Sequence, residues 1–159
     1  MSSPQRPAKR RFGGTVAQIR SALGFYKVLA YLTGAMLLLL TAEVILRYVF
    51  NLVLLVGGTN TVTGQPHGFG FVEVGPDGSF AVTGSFNLST AVLIAHGWMY
   101  VVYLIADFRL WSLMRWKFSK FILIALGGVV PLLSFFVERR IHAQTLEEIA
   151  ANPQASKRY

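Results

Sequence analysis

Apolar residues in this chain gather into long runs more than they recur at a helical or strand period. Three stretches, 25–56, 88–108 and 118–137, are nearly unbroken in Phe, Leu, Val, Ile and Ala. About 20 apolar residues rising about 1.5 Å each cover the ~30 Å hydrocarbon core of a bilayer. Each stretch therefore predicts a membrane-crossing helix, with spans at 25–50, 88–108 and 118–137. The surplus at 51–56 leaves room for tilt or for emergence into the headgroups. The connection 57–87 is different, rich in glycine with Pro66 and Pro76. Within it Phe69, Phe71 and Glu73 lead to Gly75-Pro76-Asp77-Gly78, and Phe80 and Val82 follow. Alternation around a Pro-Asp-Gly turn predicts a small β-hairpin, which must rest on the helix ends because a lone hairpin is marginal in water.

The flanks are polar. Residues 1–24 read as a basic disordered tail and interfacial segment, in which Thr15 suits a helix cap and Val16, Ile19 and Leu23 share one face. The span-bearing domain is 25–140, and 141–159 is a polar tail with room for one short helix around 145–151. The expected class is an all-α membrane protein of three transmembrane helices with an extracytoplasmic loop at 57–87.

Composition agrees, with 53% hydrophobic and 14% charged residues, too apolar for an ordinary soluble domain. A net charge of +8 would raise nucleic-acid binding on a soluble chain. Here the cations flank the spans, so lipid phosphates are their expected partners and nucleic acid is not. Arg10 and Arg11 ahead of the first span, and Arg109, Trp111, Arg115, Trp116 and Lys117 after the second, form the lipid-interface set. The first connection carries no Lys or Arg, so the N-terminus and the second connection are assigned to the cytoplasm. The basic start followed by so long an apolar run reads as an uncleaved signal anchor. Three spans then make the chain N-in/C-out, leaving Arg139, Arg140, Lys157 and Arg158 outside against the bias of the rule. The absence of cysteine excludes disulfides, thiolate metal sites and thiol catalysis.

Polar groups inside the spans mark where chemistry lies, because each alone in lipid costs about 2.5–3.5 kcal/mol at mid-depth. Glu43 and Arg47 are four residues apart and share a face. On span two His96, Tyr100, Tyr103 and Asp107 form one stripe, with Gly97 leaving room for a neighbour and Asp107 reaching the cytoplasmic interface. On span three Gly127, Pro131, Ser134 and Glu138 form another, and Pro131 frees a carbonyl that can bend the helix. With Glu138 at the outer end, Glu43, Arg47, His96, Tyr100, Ser134 and Glu138 are expected in one buried polar cluster. In it Arg47 pairs Glu43 or Glu138, and His96 bonds a carboxylate. Such a network either fixes helix register or handles protons or ligands. The three histidines lack ligand spacing, Ser134 has no base at motif distance, and the glycines of 57–84 lack the lysine of a phosphate loop. No metal, cofactor or catalytic residue is expected.

These residues resemble a family of small actinobacterial integral membrane proteins known only as a domain of unknown function. Lys27-Val28-Leu29-Ala30-Tyr31 through Glu43 and Arg47-Tyr48 is similar to its first helix. His96-Gly97-Trp98-Met99-Tyr100 with Tyr103 is similar to its second. Pro131 to Phe135-Phe136-Val137-Glu138-Arg139-Arg140 is similar to its third. The resemblance implies a three-helix plasma-membrane protein with no established activity. The reading is a multi-pass, non-enzymatic protein that acts as a homo-oligomer or as an accessory subunit of another membrane protein. A component of a transport or proton-coupled system is the alternative.

Overall fold

The computed structural model describes residues 11–152. Arg10, most of the basic tail and the cations Lys157 and Arg158 lie outside them. Four helices and five short strands follow in the order α1 (Val16–Val49), β1 (Leu52–Val56), β2 (Thr59–Asn60), β3 (Phe69–Glu73), β4 (Val82–Thr83), β5 (Phe86–Asn87), α2 (Leu88–Met114), α3 (Phe118–Leu126) and α4 (Leu133–Ala151). Two of them, α1 and α2, are long and apolar enough to cross a membrane.

The start of α1 is set by a capping box. The Thr15 hydroxyl accepts from the Gln18 N–H, and the Gln18 side chain accepts from the Thr15 N–H at 2.9 Å. Phe12, ahead of it, packs into the core, and the Gly13 N–H donates to the Leu113 carbonyl at 2.7 Å. The end of α1 is set by Asn51, which adopts a left-handed φ of 53° that asparagine tolerates.

Leu52–Val56, read from the sequence as a surplus of the first span, is instead a strand. β1 pairs antiparallel with β3 (Leu52 opposite Glu73, Leu54 opposite Phe71) and with β5 (Val56 opposite Phe86), giving the order β3-β1-β5. β2 and β4 make a second, two-stranded ladder. The Pro-Asp-Gly turn is present, closed by Gly75 N–H to Ser79 carbonyl at 2.9 Å. Beyond it only the bridge Val74–Phe80 continues the expected hairpin, because β3 spends its ladder on β1. Val53, Leu55 and Val82 form the sheet's small core.

The third apolar stretch is not one helix. α3 stops at Leu126, and residues 127–132 turn through short-range bonds such as Gly127 N–H to Ile124 carbonyl at 2.9 Å. Leu132 at φ 68° starts α4, which runs back. The buried Ser134 lies against Ala30 of α1, while Ile149 near the other end joins Phe12 and Met114 in the main core. The Trp116 indole donates to the Glu148 carboxylate at 3.3 Å. The end of α4 therefore lies beside the start of α1 and the end of α2, the end of the molecule where most of the described cations sit. The expectation of a third crossing helix, with its C-terminus at the opposite end, is corrected by this reversal.

Packing follows from it. Buried residues of α1 lie between Ile19 and Gly34, and those of α2 between Tyr103 and Met114. The other halves of both helices carry exposed Leu38, Leu39, Val44, Ile45, Leu93, Ile94, Trp98, Val101 and Val102.

Candidate functional site

Glu43 and Arg47 stand at the sheet end of α1. There they line a cavity of about 300 Å³ with Phe80, Asn87, Ser89 and Thr90. Ser134 stands at mid-height beside the turn at 127–132, and Glu138 one helical turn farther from the sheet. The Ser134 hydroxyl donates to the Ala30 carbonyl at 2.6 Å, and Ala30 lies about 20 Å along α1 from Glu43. The six residues expected in one cluster are thus spread along the molecule, with Glu43 and Arg47 at the sheet end, His96, Tyr100 and Ser134 at mid-height and Glu138 beyond them. That expectation required a full third crossing to carry Glu138 to the level of Arg47, and the turn at 127–132 carries it the other way.

His96 and Tyr100 occupy the middle, and no hydrogen bond or ion pair joins His96 to a carboxylate among the described residues. The His96 ring stacks on the Tyr100 ring with centroids 6.4 Å apart, and its Nδ1 has no hydrogen-bond partner among the described residues. The Tyr100 and Tyr103 hydroxyls donate to the Ala125 and Ile124 carbonyls at 3.1 and 2.8 Å. The final carbonyls of a helix lack intrahelical partners and cannot be left bare in an apolar interior. The α2 stripe supplies donors where α3 ends. Gly128 is part of this fit, because a Cβ there would collide with the Tyr100 ring. The small residues at 127 and 128 serve this contact within the chain, whereas Gly97 faces open space.

What remains is a buried group that the stripe pattern only half revealed. Asp107 and Tyr26 are fully buried, and Glu138 is 2% exposed. Both Asp107 oxygens, the Tyr26 hydroxyl, Glu138 Oε1 and the buried Thr33 hydroxyl have no hydrogen-bond partner among the described residues. Asp107 lies within electrostatic reach of the Tyr26, Tyr100 and Tyr103 hydroxyls, and Glu138 of the Tyr26 hydroxyl, so the five side chains share one neighbourhood. The Tyr26 and Tyr103 rings lie 5.9 Å apart. His142 Nδ1 approaches Glu138 Oε1 at 3.7 Å and is partly exposed, giving the group a side toward solvent. Two buried carboxylates and a phenol with these oxygens left without hydrogen bonds cost stability, which marks the place as a candidate site. Asp107 was assigned to the interface because the second span was ended at 108; α2 continues through Leu110 and Met114, and that extra turn and a half buries it. Tyr26 gave no sequence signal beyond its spacing of seven from Thr33, which sets both on one face.

The interfacial residues sit at the α2–α3 corner. The Trp111 indole donates to the Lys117 carbonyl at 3.2 Å and its ring packs with Phe108, Phe118 and Phe121. Lys120 Nζ lies 3.6 Å from the Trp116 ring centroid, a cation–π contact. Arg115 takes the left-handed cap position of α2, Arg109, Lys117 and Arg11 are exposed, and Arg10 falls outside the described residues. Among the described residues, no group of three or more His, Cys, Asp and Glu is arranged to hold a metal ion.

A family profile described as "Domain of unknown function (DUF3817)" matches residues 23–73 and 80–143. An uncharacterised protein of Mycobacterium bovis is 30% identical over 149 residues, covering 92% of this chain and 94% of the relative. A Mycobacterium tuberculosis protein of the same description shows the same identity and coverage. One from Mycobacterium leprae is 28% identical over 145 residues, covering 91% of this chain and 88% of its own. No solved structure matches the chain.

Proposed function

The chain belongs to the DUF3817 family, and from that premise and its geometry we propose a non-enzymatic integral membrane protein that works as an oligomer or as a subunit of a larger membrane assembly. In this reading α1 and α2 cross the plasma membrane, the sheet stands outside, and α3 with α4 enters from the cytoplasmic face and leaves by it. One observation carries the proposal. Beyond the turn at 127–132 only α1 and α2 continue, and neither buries a residue from Ala35 to Val49 or from Leu88 to Val102. The turn itself offers exposed Val129, Val130 and Leu132 to the same empty half. Two helices leave apolar surface that a further helix covers with closer packing than lipid gives. In nanodiscs of native-like lipid, crosslinking and mass measurement should return a discrete oligomer or a constant partner. A monomer in every lipid and detergent tried would count against the proposal.

A second reading, a proton- or cation-coupled component, is favoured by the buried Asp107, whose oxygens accept no hydrogen bond from the described residues, and by Glu138, whose one ion-pair contact among the described residues is His142. It predicts flux into liposomes that falls at least tenfold in Asp107→Asn or Glu138→Gln. Unchanged flux with a raised melting temperature would return these acids to a passive role.

A further inference from the structure

We propose that the cavity between the sheet ends of α1 and α2 binds a phosphoethanolamine group, the zwitterionic headgroup of an outer-leaflet phospholipid, with Arg47 on the phosphate and Glu43 on the ammonium. The space is about 300 Å³, at the lower end of ligand-site volumes. Glu43 and Arg47 are placed one helical turn apart, the spacing at which opposite charges usually pair. They do not pair here. Among the described residues no ion pair joins them, and Glu43 Oε2 and Arg47 Nη1 are shielded from solvent without a hydrogen-bond partner. The guanidinium lies 5.4 Å from the Phe80 ring centroid, held toward the sheet. An anion and a cation kept separate in one cavity call for a ligand that carries both charges.

The walls say which end of that ligand lies where. Leu40, Val44 and Leu93 form an apolar side continuous with the exposed helix faces, which suits a glycerol backbone and the start of acyl chains. Asn87, Ser89 and Thr90 form the polar side at the first turn of α2, whose positive end adds to Arg47 in favouring phosphate. The depth agrees. Lys27 and Arg47 are twenty residues apart on α1, about 30 Å of rise, so charges at these two positions bracket one hydrocarbon core. Choline would meet Glu43 without an N–H to donate, and a headgroup lacking the ammonium would leave Glu43 unanswered. Ethanolamine donates three N–H groups.

The inference rests on the transmembrane reading above, and its test is separable from that of assembly. The full-length protein, delipidated in mild detergent, is titrated with phosphatidylethanolamine, phosphatidylcholine and phosphatidylglycerol of identical chains, and adducts are counted by native mass spectrometry. Phosphatidylethanolamine should be retained at least tenfold more tightly than the other two. Glu43→Gln should reduce it to the level of phosphatidylcholine, Arg47→Gln should weaken all three, and Arg47→Lys should keep part of the binding as a folded control. Soluble O-phosphoethanolamine is the second arm. Its binding without any lipid preference would shift the source from membrane lipid to a free phosphoester. Equal retention of the three lipids with no binding of the soluble compound overturns the proposal, as do variants indistinguishable from the parent at unchanged melting temperature. An oligomer with no such preference would overturn this inference alone.

Discussion

Two single residues expose how tightly local geometry is constrained. Gly128 is held against the Tyr100 ring with no room for a methyl group. Gly128→Ala should destabilise by about 1–3 kcal/mol, the usual range for overpacking. In a Tyr100→Ala background most of that loss should vanish, and melting temperatures of the four proteins in one detergent give the coupling directly. Additive losses would mean the ring and the glycine are not in contact. At the other end, Asp77 closes its turn by accepting from the Ser79 hydroxyl at 2.7 Å and the Ser79 N–H at 3.1 Å. These donors hold the exposed carboxyl below the ordinary aspartate range. A depressed folded value contributes stability above the unfolded value of about 3.9 and loses it as pH falls through the lower one. Hydrogen-exchange protection of the Gly75 N–H should therefore persist at pH 5 and decline in that acid window. Asp77→Asn should abolish the pH dependence.

At the scale of elements, the break between α3 and α4 is the feature on which the rest turns. Leu132 sits at φ 68°, where a branched side chain is strained and glycine is not. Leu132→Gly should raise stability by up to about 1 kcal/mol in thermal or denaturant melts. Were 118–137 a continuous helix, the same change would lower it by about 1 kcal/mol, so the sign of the shift separates the two structures. The long helices α1 and α2 were legible because about 20 apolar residues in a row have few other uses. The reversal was not legible from length, since 118–137 also meets the spanning criterion. The local signals were Gly127, Gly128 and Pro131, read as packing residues and a bend. They became decisive only once the Tyr100 and Tyr103 hydroxyls were seen supplying partners to the interrupted backbone. The strand β1 hid for a related reason. Leu52–Val56 is apolar on both faces, and a short apolar run does not distinguish a helix end from a strand. Asn51, suited to a left-handed cap, was the available clue. The split of the candidate cluster follows from the same reversal, because Glu138 changes ends when α4 turns back.

For the whole molecule, that reversal also changes the charge arithmetic. A third crossing left Arg139 and Arg140 on the side that cytoplasmic cations avoid. With α4 returning to the start of α1, they join Lys27, Arg109, Arg115, Lys117 and Lys120 at one end, while the segment between α1 and α2 carries no Lys or Arg. On the proposed transmembrane reading every described Lys and Arg except Arg47, which stands at the sheet end, then lies on the cytoplasmic side, as the positive-inside bias favours. The arrangement predicts an outcome that single-cysteine labelling can read, since the chain has no cysteine of its own. In right-side-out vesicles Val62→Cys in the turn after β2 should react with an impermeant maleimide. Ser112→Cys on α2 and Glu147→Cys on α4 should react only after permeabilisation, because all three positions are exposed and differ only in the end at which they stand. Labelling of Glu147→Cys together with Val62→Cys in sealed vesicles would restore a third crossing. It would also return Glu138 to the level of Arg47 and remove the buried group at Tyr26 and Asp107.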